Sequence, residues 1–448
     1  MTINTFPLLA AHRPGDAIAW RANKAVSQNQ FLAHVSQLAD ALPDRRYAIN
    51  LCTDRYHFMV AFAAVIVRGQ CNLLPPSPAP RVLADIAGEY ADSYCITDEA
   101  MADLPVAEHR VDPGLFCGAA AVLANPRIAA DHVAALAFTS GSTGRARANP
   151  KTWGSLVTGA QLARERFGID RENLAAIVAT VPPQHMYGLE TSIMLPLVSG
   201  VGFSAERPLF PADIHAALAA VPSPRVLVTT PVHLRTCVRA GLKWPPIAFI
   251  ISATAPMPMQ LASETETVLQ TQLLEIYGAT EVGSMASRRT LDGALWRLYD
   301  GMLLREAGNR FFVSGPNLAD EVALSDMLRQ HDATHFELLG RCADMVLIAG
   351  KRMSLADLNH KLNDIDGVED GVFFVPEEAD DGTVKRLVAF VVAPGLAREQ
   401  IYDALAERLD PLFLPRPLVC VERLPRNETG KLPRANLLAL LSQRSATA

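Results

Sequence analysis

Three short segments hold residue types suited to phosphate and carboxylate chemistry. The first is Thr139-Ser140-Gly141-Ser142-Thr143-Gly144, directly after the apolar run AALAF. Its glycines let the main chain approach a ligand closely. Hydroxyl and amide groups between them can donate to phosphate oxygens, and Arg145, Arg147 and Lys151 bring positive charge. It is not a Walker loop, because G-x-x-x-x-G-K-[ST] cannot be fitted to it. Alone it also reads as a polar turn; the strand before it, the helix after it and the basic cluster turn it toward phosphate.

The second segment is Tyr277-Gly278-Ala279-Thr280-Glu281, again at the end of an apolar run. A ring, a hydroxyl and a carboxylate there suit base stacking, a phosphate contact and a magnesium ligand. Magnesium takes one or two carboxylates and completes its shell with phosphate oxygens and water. The bland alternative is a turn with a solvated Glu. The third segment runs from Leu424 to Leu432 and contains Asn427-Glu428-Thr429-Gly430-Lys431. A glycine-bent loop offering one Lys can bring a positive charge to a reacting centre. A lone Lys is also an ordinary surface residue.

The elements that must position these segments follow a βαβ rhythm. Strands are expected at Ala135–Phe138, Ala175–Val181, Arg225–Thr229, Ala248–Ser252 and Leu273–Tyr277, each running into a polar loop. This predicts an α/β fold with helix-covered sheets, largely parallel or mixed, whose ligands gather at the carboxyl ends of the strands. After a loop at 139–150, Trp153, Leu156, Val157, Ala160 and Ala163 follow helical spacing to Phe167. Beyond about 340 the pattern changes. Helices at Leu355–Leu362, Arg398–Leu409 and Ala435–Leu441, with strands at Val372–Val375, Leu387–Val392 and Leu418–Val421, predict a small α+β domain. The expected division is a large domain over 1–342 and a small mobile lid over 343–448.

The chain has 448 residues, half of them apolar and a fifth charged, with a net charge of −6. That length suits two or three domains and that balance a soluble protein. With no basic block, nucleic acid is a poor candidate for a partner. The cysteines at 52, 71, 95, 117, 237, 342 and 420 are scattered and never spaced C-x-x-C. Such usage suits a reducing compartment. With no leader pattern and no apolar run of membrane-spanning length, the expected location is the cytoplasm.

Taken in order, the three segments resemble the adenylate-forming (AMP-binding) superfamily of acyl-CoA synthetases, amino-acid adenylation domains and luciferases. The first is similar to T-S-G-[ST]-T-G, the second to Y-G-x-T-E, and RNETGKL to the loop carrying that family's catalytic lysine. Weaker matches lie between them: Pro183-Gln184-His185-Met186-Tyr187-Gly188, Ser252-Ala253-Thr254-Ala255-Pro256, Ser325-Asp326 and Gly340-Arg341. The early AFAAVIVRGQCNLLPPSPAP is similar to the family's first helix and turn, so the resemblance covers nearly the whole chain.

The resemblance implies that residues 139–144 and Arg147 hold the ATP phosphates and that Glu281 binds magnesium, with Thr280 beside it. Tyr277, Gly278 and Ala279 would meet the adenine opposite Thr254, Ala255 and Pro256. Asp326 would accept from the ribose hydroxyls, with Arg341 alongside. His185, Tyr187, Gly188, Ser252 and Ala253 would border the acid. Lys431 would bridge the α-phosphate and the carboxylate while an acyl-adenylate forms, and Ala343 would occupy the hinge. The acyl group would then pass to the phosphopantetheine thiol of CoA or of an acyl carrier protein.

Several positions depart from the family pattern. The phosphate loop continues Ala146-Arg147-Ala148 where the family has Pro-Lys-Gly, and Arg lacks the point-like ammonium. Lys151 is a candidate substitute. Ala343 stands where Asp or Lys is usual, with Asp344 next, and S-D replaces T-G-D. No Asp stands in 183–190 to meet an ammonium, and Glu190 lies beyond that place, which disfavours an α-amino acid. His185, Met186, Tyr187 and Leu189 suit an aryl or unsaturated acid, although the same stretch also reads as core. The compact length and GSTGRARANPKTW are similar to short bacterial ligases of aryl-polyene clusters. Rival readings are a fatty acyl ligase and a nucleotide-binding pseudoenzyme without turnover. Oligomeric state is not legible.

Overall fold

The structure is a computed structural model that describes residues 4–11, 13–111, 114, 124–140, 146–308, 310–341, 345–348, 351–376, 387–426 and 432–445. Its frame is α/β. The parallel strands Ala176–Ala179, Arg225–Thr229, Phe249–Ser252 and Gln272–Ala279 lie side by side. They carry Ile, Val and Leu on both faces and are buried on both, as a helix-covered parallel sheet requires. One face packs under the helices Pro211–Ala219, Pro231–Arg239 and Met259–Leu269. The other joins the main core, which it shares with a six-stranded sheet.

Between the sheets runs the helix Arg55–Val67, whose sequence RYHFMVAFAAVIV is buried from Arg55 to Ile66. A helix apolar on all sides belongs inside. Its N-terminus is capped by Asp54, which accepts from the His57 amide at 2.9 Å. The helix Trp153–Phe167 has the predicted bounds, because Thr152 caps its start and Gly168, at φ 62°, ends it.

One expectation needs correction. The loop expected at 139–150 is strand at 139–140 and 146–150: Ala146–Thr152 runs antiparallel to Val133–Ser140, with Arg147 opposite Thr139. It was hidden because its buried side chains are polar: Asn149 donates to the Ala137 carbonyl at 3.1 Å, and Lys151 also points inward. The largest sheet combines parallel and antiparallel pairing, within the mixed or parallel arrangement expected from sequence. Beyond Gln272–Ala279 it continues antiparallel through Gly283–Arg289, Leu295–Leu298, His335–Arg341 and Asp326–Gln330. The sheet is therefore mixed.

After residue 345 the apolar side chains pack mainly among themselves, around the strands Asp370–Phe374, Val388–Val392 and Leu418–Cys420. The helices Leu355–Asn363, Arg398–Ala406 and Arg434–Ser445 complete this α+β unit, close to the bounds read from sequence. It touches the larger part through the Ser354 hydroxyl on the Leu339 carbonyl at 2.8 Å and through Arg239 on Glu369 at 2.9 Å. Among the described residues no helix is long and apolar enough to cross a membrane. Cys52, Cys71, Cys95 and Cys237 are buried free thiols, used as small apolar residues.

Candidate active site

The carboxyl ends of the parallel strands deliver three of the predicted segments to one edge of the sheet. Strand Ala176–Ala179 leads to 183–190, Phe249–Ser252 to the Ser252–Pro256 turn, and Gln272–Ala279 to Thr280 and Glu281. A crevice at such an edge is where α/β sheets bind ligands.

Tyr277 is 8% exposed. Its ring is wedged against Trp296 and Phe336, each with a centroid separation of 5.6 Å. Its hydroxyl donates to the Asp326 carboxylate at 2.8 Å. The candidate stacking residue and the candidate ribose residue are thus directly joined, although 49 positions separate them. Asp326 opens its strand opposite Arg341, so the main chain places those two side by side as expected.

The turn after Tyr277 is fixed from beneath. A bulge between Tyr277 and Gly278 re-aims the chain. Thr280 is half-buried and Glu281 exposed, leaving its carboxylate open to a cation. Lys151, 6% exposed, donates from Nζ to the Glu281 carbonyl at 2.8 Å. Asn317 Nδ2 donates to the Val282 carbonyl at 3.1 Å. Glu190 accepts the Ser284 amide on both oxygens at 3.1 Å and the Ser284 hydroxyl on Oε2 at 2.5 Å. Gly283 has φ +85°, and a Cβ there would stand 2.4 Å from Glu190 Oε1, so only glycine fits.

The sequence reading sets Glu190 beyond the place of a substrate counter-ion and gives it no role; the structure makes it the acceptor that holds Ser284. It is 8% exposed, and burial pushes its carboxyl above the usual range, partly offset by Ser284 and Lys151. Burial likewise pulls the Lys151 ammonium down, with Glu190 and Glu281 pulling it back up. The signal available in sequence was a single acid inside the apolar run YGLETSIMLPL, which demands a buried partner.

The acid-bordering candidates divide. The Tyr187 hydroxyl lies 3.1 Å from the Thr229 carbonyl and 3.0 Å from that of Ile251, tying the short helix Met186–Leu189 to two strand ends. Burial raises its phenol well above the ordinary value. Only its ring remains to face a ligand. Gly188 is buried against the Pro182 carbonyl, where a Cβ would come within 2.0 Å. His185 precedes that helix half-buried, Ala253 is 9% exposed in the main core, and Ser252 is 1% exposed. Thr254 has φ +78°, an unusual value for a β-branched residue, and its Oγ1 has no hydrogen-bond partner among the described residues. Ala255 is half-buried and Pro256 exposed beside it.

Thr139 and Ser140 end their strand at the base of the phosphate segment, and the Arg147 side chain is exposed. Gly141, Ser142, Thr143, Gly144, Ala343 and Lys431 lie outside the described residues, as do the side chains of Ser140 and Arg341. Beneath the segment 183–190, Arg55 ties the start of its helix to the end of the strand Ala176–Ala179: it donates to the Ala179 and Val181 carbonyls at 2.9 and 2.8 Å and to the Ser192 hydroxyl at 2.5 Å. Sequence reasoning missed it.

A mixed α/β sheet whose strand ends gather a buried tyrosine, a carboxylate and a threonine–glutamate turn defines a nucleotide-binding class of protein. Residues 9–305 match the family of AMP-binding enzymes, and the chain belongs to that family. It is 29% identical over 232 residues to a 4-coumarate–CoA ligase of Rhodobacter capsulatus, covering 52% of this chain and 58% of that one. It is 25% identical over 389 residues to a 3-hydroxybenzoate–CoA/4-hydroxybenzoate–CoA ligase of Thauera aromatica, covering 77% and 72%. The fold is that of o-succinylbenzoate CoA synthetase of Bacillus subtilis, solved with an acyl-adenylate intermediate: TM-score 0.82, 18% identity, covering 97% and 98%.

Proposed function

We propose that this protein is an ATP-dependent acid–thiol ligase that activates an aryl or unsaturated carboxylic acid as its acyl-adenylate and passes the acyl group to CoA. The observation that carries this reading is the Tyr277–Asp326 hydrogen bond at the strand ends, which pre-sets a stacking surface beside a hydrogen-bond acceptor suited to ribose. Relatives named for coumarate and hydroxybenzoate support the aryl preference.

In the first step a carboxylate oxygen attacks the α-phosphorus, the bond to the bridging oxygen breaks, and pyrophosphate leaves. Two anions must meet, so positioning and charge neutralisation supply most of the rate. Lys431 serves there, and residues 139–144 cradle the phosphates. The exposed Glu281 carboxylate, on its clamped turn, fits a magnesium ion that takes few protein ligands. When bound, magnesium supplies neutralisation of phosphate charge. In the second step the thiol sulfur attacks the acyl carbon, AMP leaves, and the thiol proton passes to solvent. Residues 343–448 act as a lid that turns at Ala343 between the two steps.

The test is to incubate the protein with ATP, magnesium and single acids from aryl, cinnamic, fatty and amino classes, offering CoA or a phosphopantetheinylated carrier protein. Mass spectrometry of the thioester decides acid and acceptor together. An aryl- or cinnamoyl-CoA product supports the reading; a carrier-only or fatty product replaces the acceptor or the acid class.

A further inference from the structure

The turn that bears Thr280 and Glu281 is held by two buried charged side chains from distant parts of the chain, which no substrate contact requires. Lys151 reaches the Glu281 carbonyl from the strand Ala146–Thr152, 130 positions away. Glu190 reaches Ser284 from the π-helical segment Glu190–Met194, 94 positions away, and occupies the space that a side chain at 283 would need. Both are more than nine-tenths buried. Burying an ammonium and a carboxylate is costly unless each neutralises the other's field and their polar atoms are bonded. Here each lies within the field of the other, and Lys151 also lies within that of Glu281. Arg147 is exposed, and among the described residues Lys151 is a buried cation bonded to this turn.

We infer that Lys151 and Glu190 are positioning residues that set the Glu281 carboxylate for the divalent cation accompanying ATP. Lys151 fixes the main chain at Glu281 itself; Glu190 fixes it three residues later, through both the amide and the hydroxyl of Ser284. Together they leave the carboxylate of Glu281 outside while the main chain is bonded from beneath at Glu281 and at Ser284. This rests on the ligase reading for its kinetic consequence, but its binding consequence needs only that the protein takes ATP with magnesium.

The experiment compares full-length wild type, Lys151→Met and the neutral, near-isosteric double variant Lys151→Met/Glu190→Gln. Magnesium is titrated against ATP binding by calorimetry, and ATP binding is measured again without magnesium. Each single charge-assisted contact removed raises the magnesium needed for half-maximal binding by roughly tenfold. Magnesium-free ATP affinity and the KM for the acid stay unchanged, while kcat falls. The double variant removes the buried unpaired charge, so it folds with a wild-type melting midpoint yet keeps the weakened magnesium response. A folded double variant with wild-type magnesium dependence overturns the inference. Should wild type bind magnesium–ATP yet turn over no acid, the ligase reading falls and the titration still decides this one. Should it bind no magnesium–ATP, both fall.

Discussion

Tyr277 holds Asp326: the phenol donates to the carboxylate at 2.8 Å while its ring is pinned between Trp296 and Phe336. One acceptor oxygen is thereby oriented before any ligand arrives, which lowers the ordering cost of binding.

Removing that donor separates the two roles. Tyr277→Phe keeps the stacking ring and removes one donor from Asp326, so the KM for ATP rises roughly fivefold, as for one ordinary hydrogen bond. Asp326→Ala removes a charged acceptor and raises it at least tenfold more. Equal effects of the two variants on ATP affinity, measured by titration, would show that the hydrogen bond carries the whole contribution of Asp326.

Thr254 stores backbone strain where the candidate adenine turn begins. A β-branched residue at φ +78° costs on the order of 1–3 kcal/mol, and its Oγ1 has no partner among the described residues to offset that. Thr254→Gly raises stability in urea unfolding by about 1 kcal/mol, the strain relief less the extra freedom of glycine in the unfolded chain. If the hydroxyl meets the nucleotide, the same variant raises the KM for ATP severalfold, consistent with one lost hydrogen bond. A more stable variant with an unchanged KM would limit Thr254 to a conformational accident.

His34 gives the fold an acid limb. It is 7% exposed, its Nδ1 lies 2.6 Å from the Tyr56 hydroxyl, and burial with the nearby Arg21 charge lowers its pKa to about 4. The folded state therefore prefers neutral imidazole. Its stabilisation is complete above the unfolded value of about 6.5, is lost as pH falls through it, and levels off near the folded value. The loss is at most about 3 kcal/mol. Chemical unfolding between those pH values should show this slope in wild type and a flatter one in His34→Gln; identical slopes would remove His34 as its source.

The parts of this molecule legible in sequence were those with local causes. Arg225–Thr229 is a short β-branched run, and Trp153–Phe167 carries its own cap and its own terminating glycine, so both appear where periodicity put them. The turn at 277–281 was legible because its residue types are chemical rather than structural. Glu190 was not, because its meaning lies in Ser284, and no local pattern joins positions that far apart. Lys151 read as a spare cation for the same reason: its acceptor is a main-chain carbonyl, which leaves no trace in side-chain identity. The strand Ala146–Thr152 was hidden because Asn149 and Lys151 fill the inward positions that apolar residues normally mark.

The most direct test of the central claim is pyrophosphate release from ATP and magnesium across aryl, cinnamic, fatty and amino acids, without thiol, in wild type and in Lys431→Ala. Acyl-adenylate chemistry predicts release with the aryl or cinnamic class, falling roughly a hundredfold to a thousandfold in the variant, as for loss of a preorganised charge stabiliser. ATP binding with no release from any acid, or release unchanged in Lys431→Ala, would contradict it.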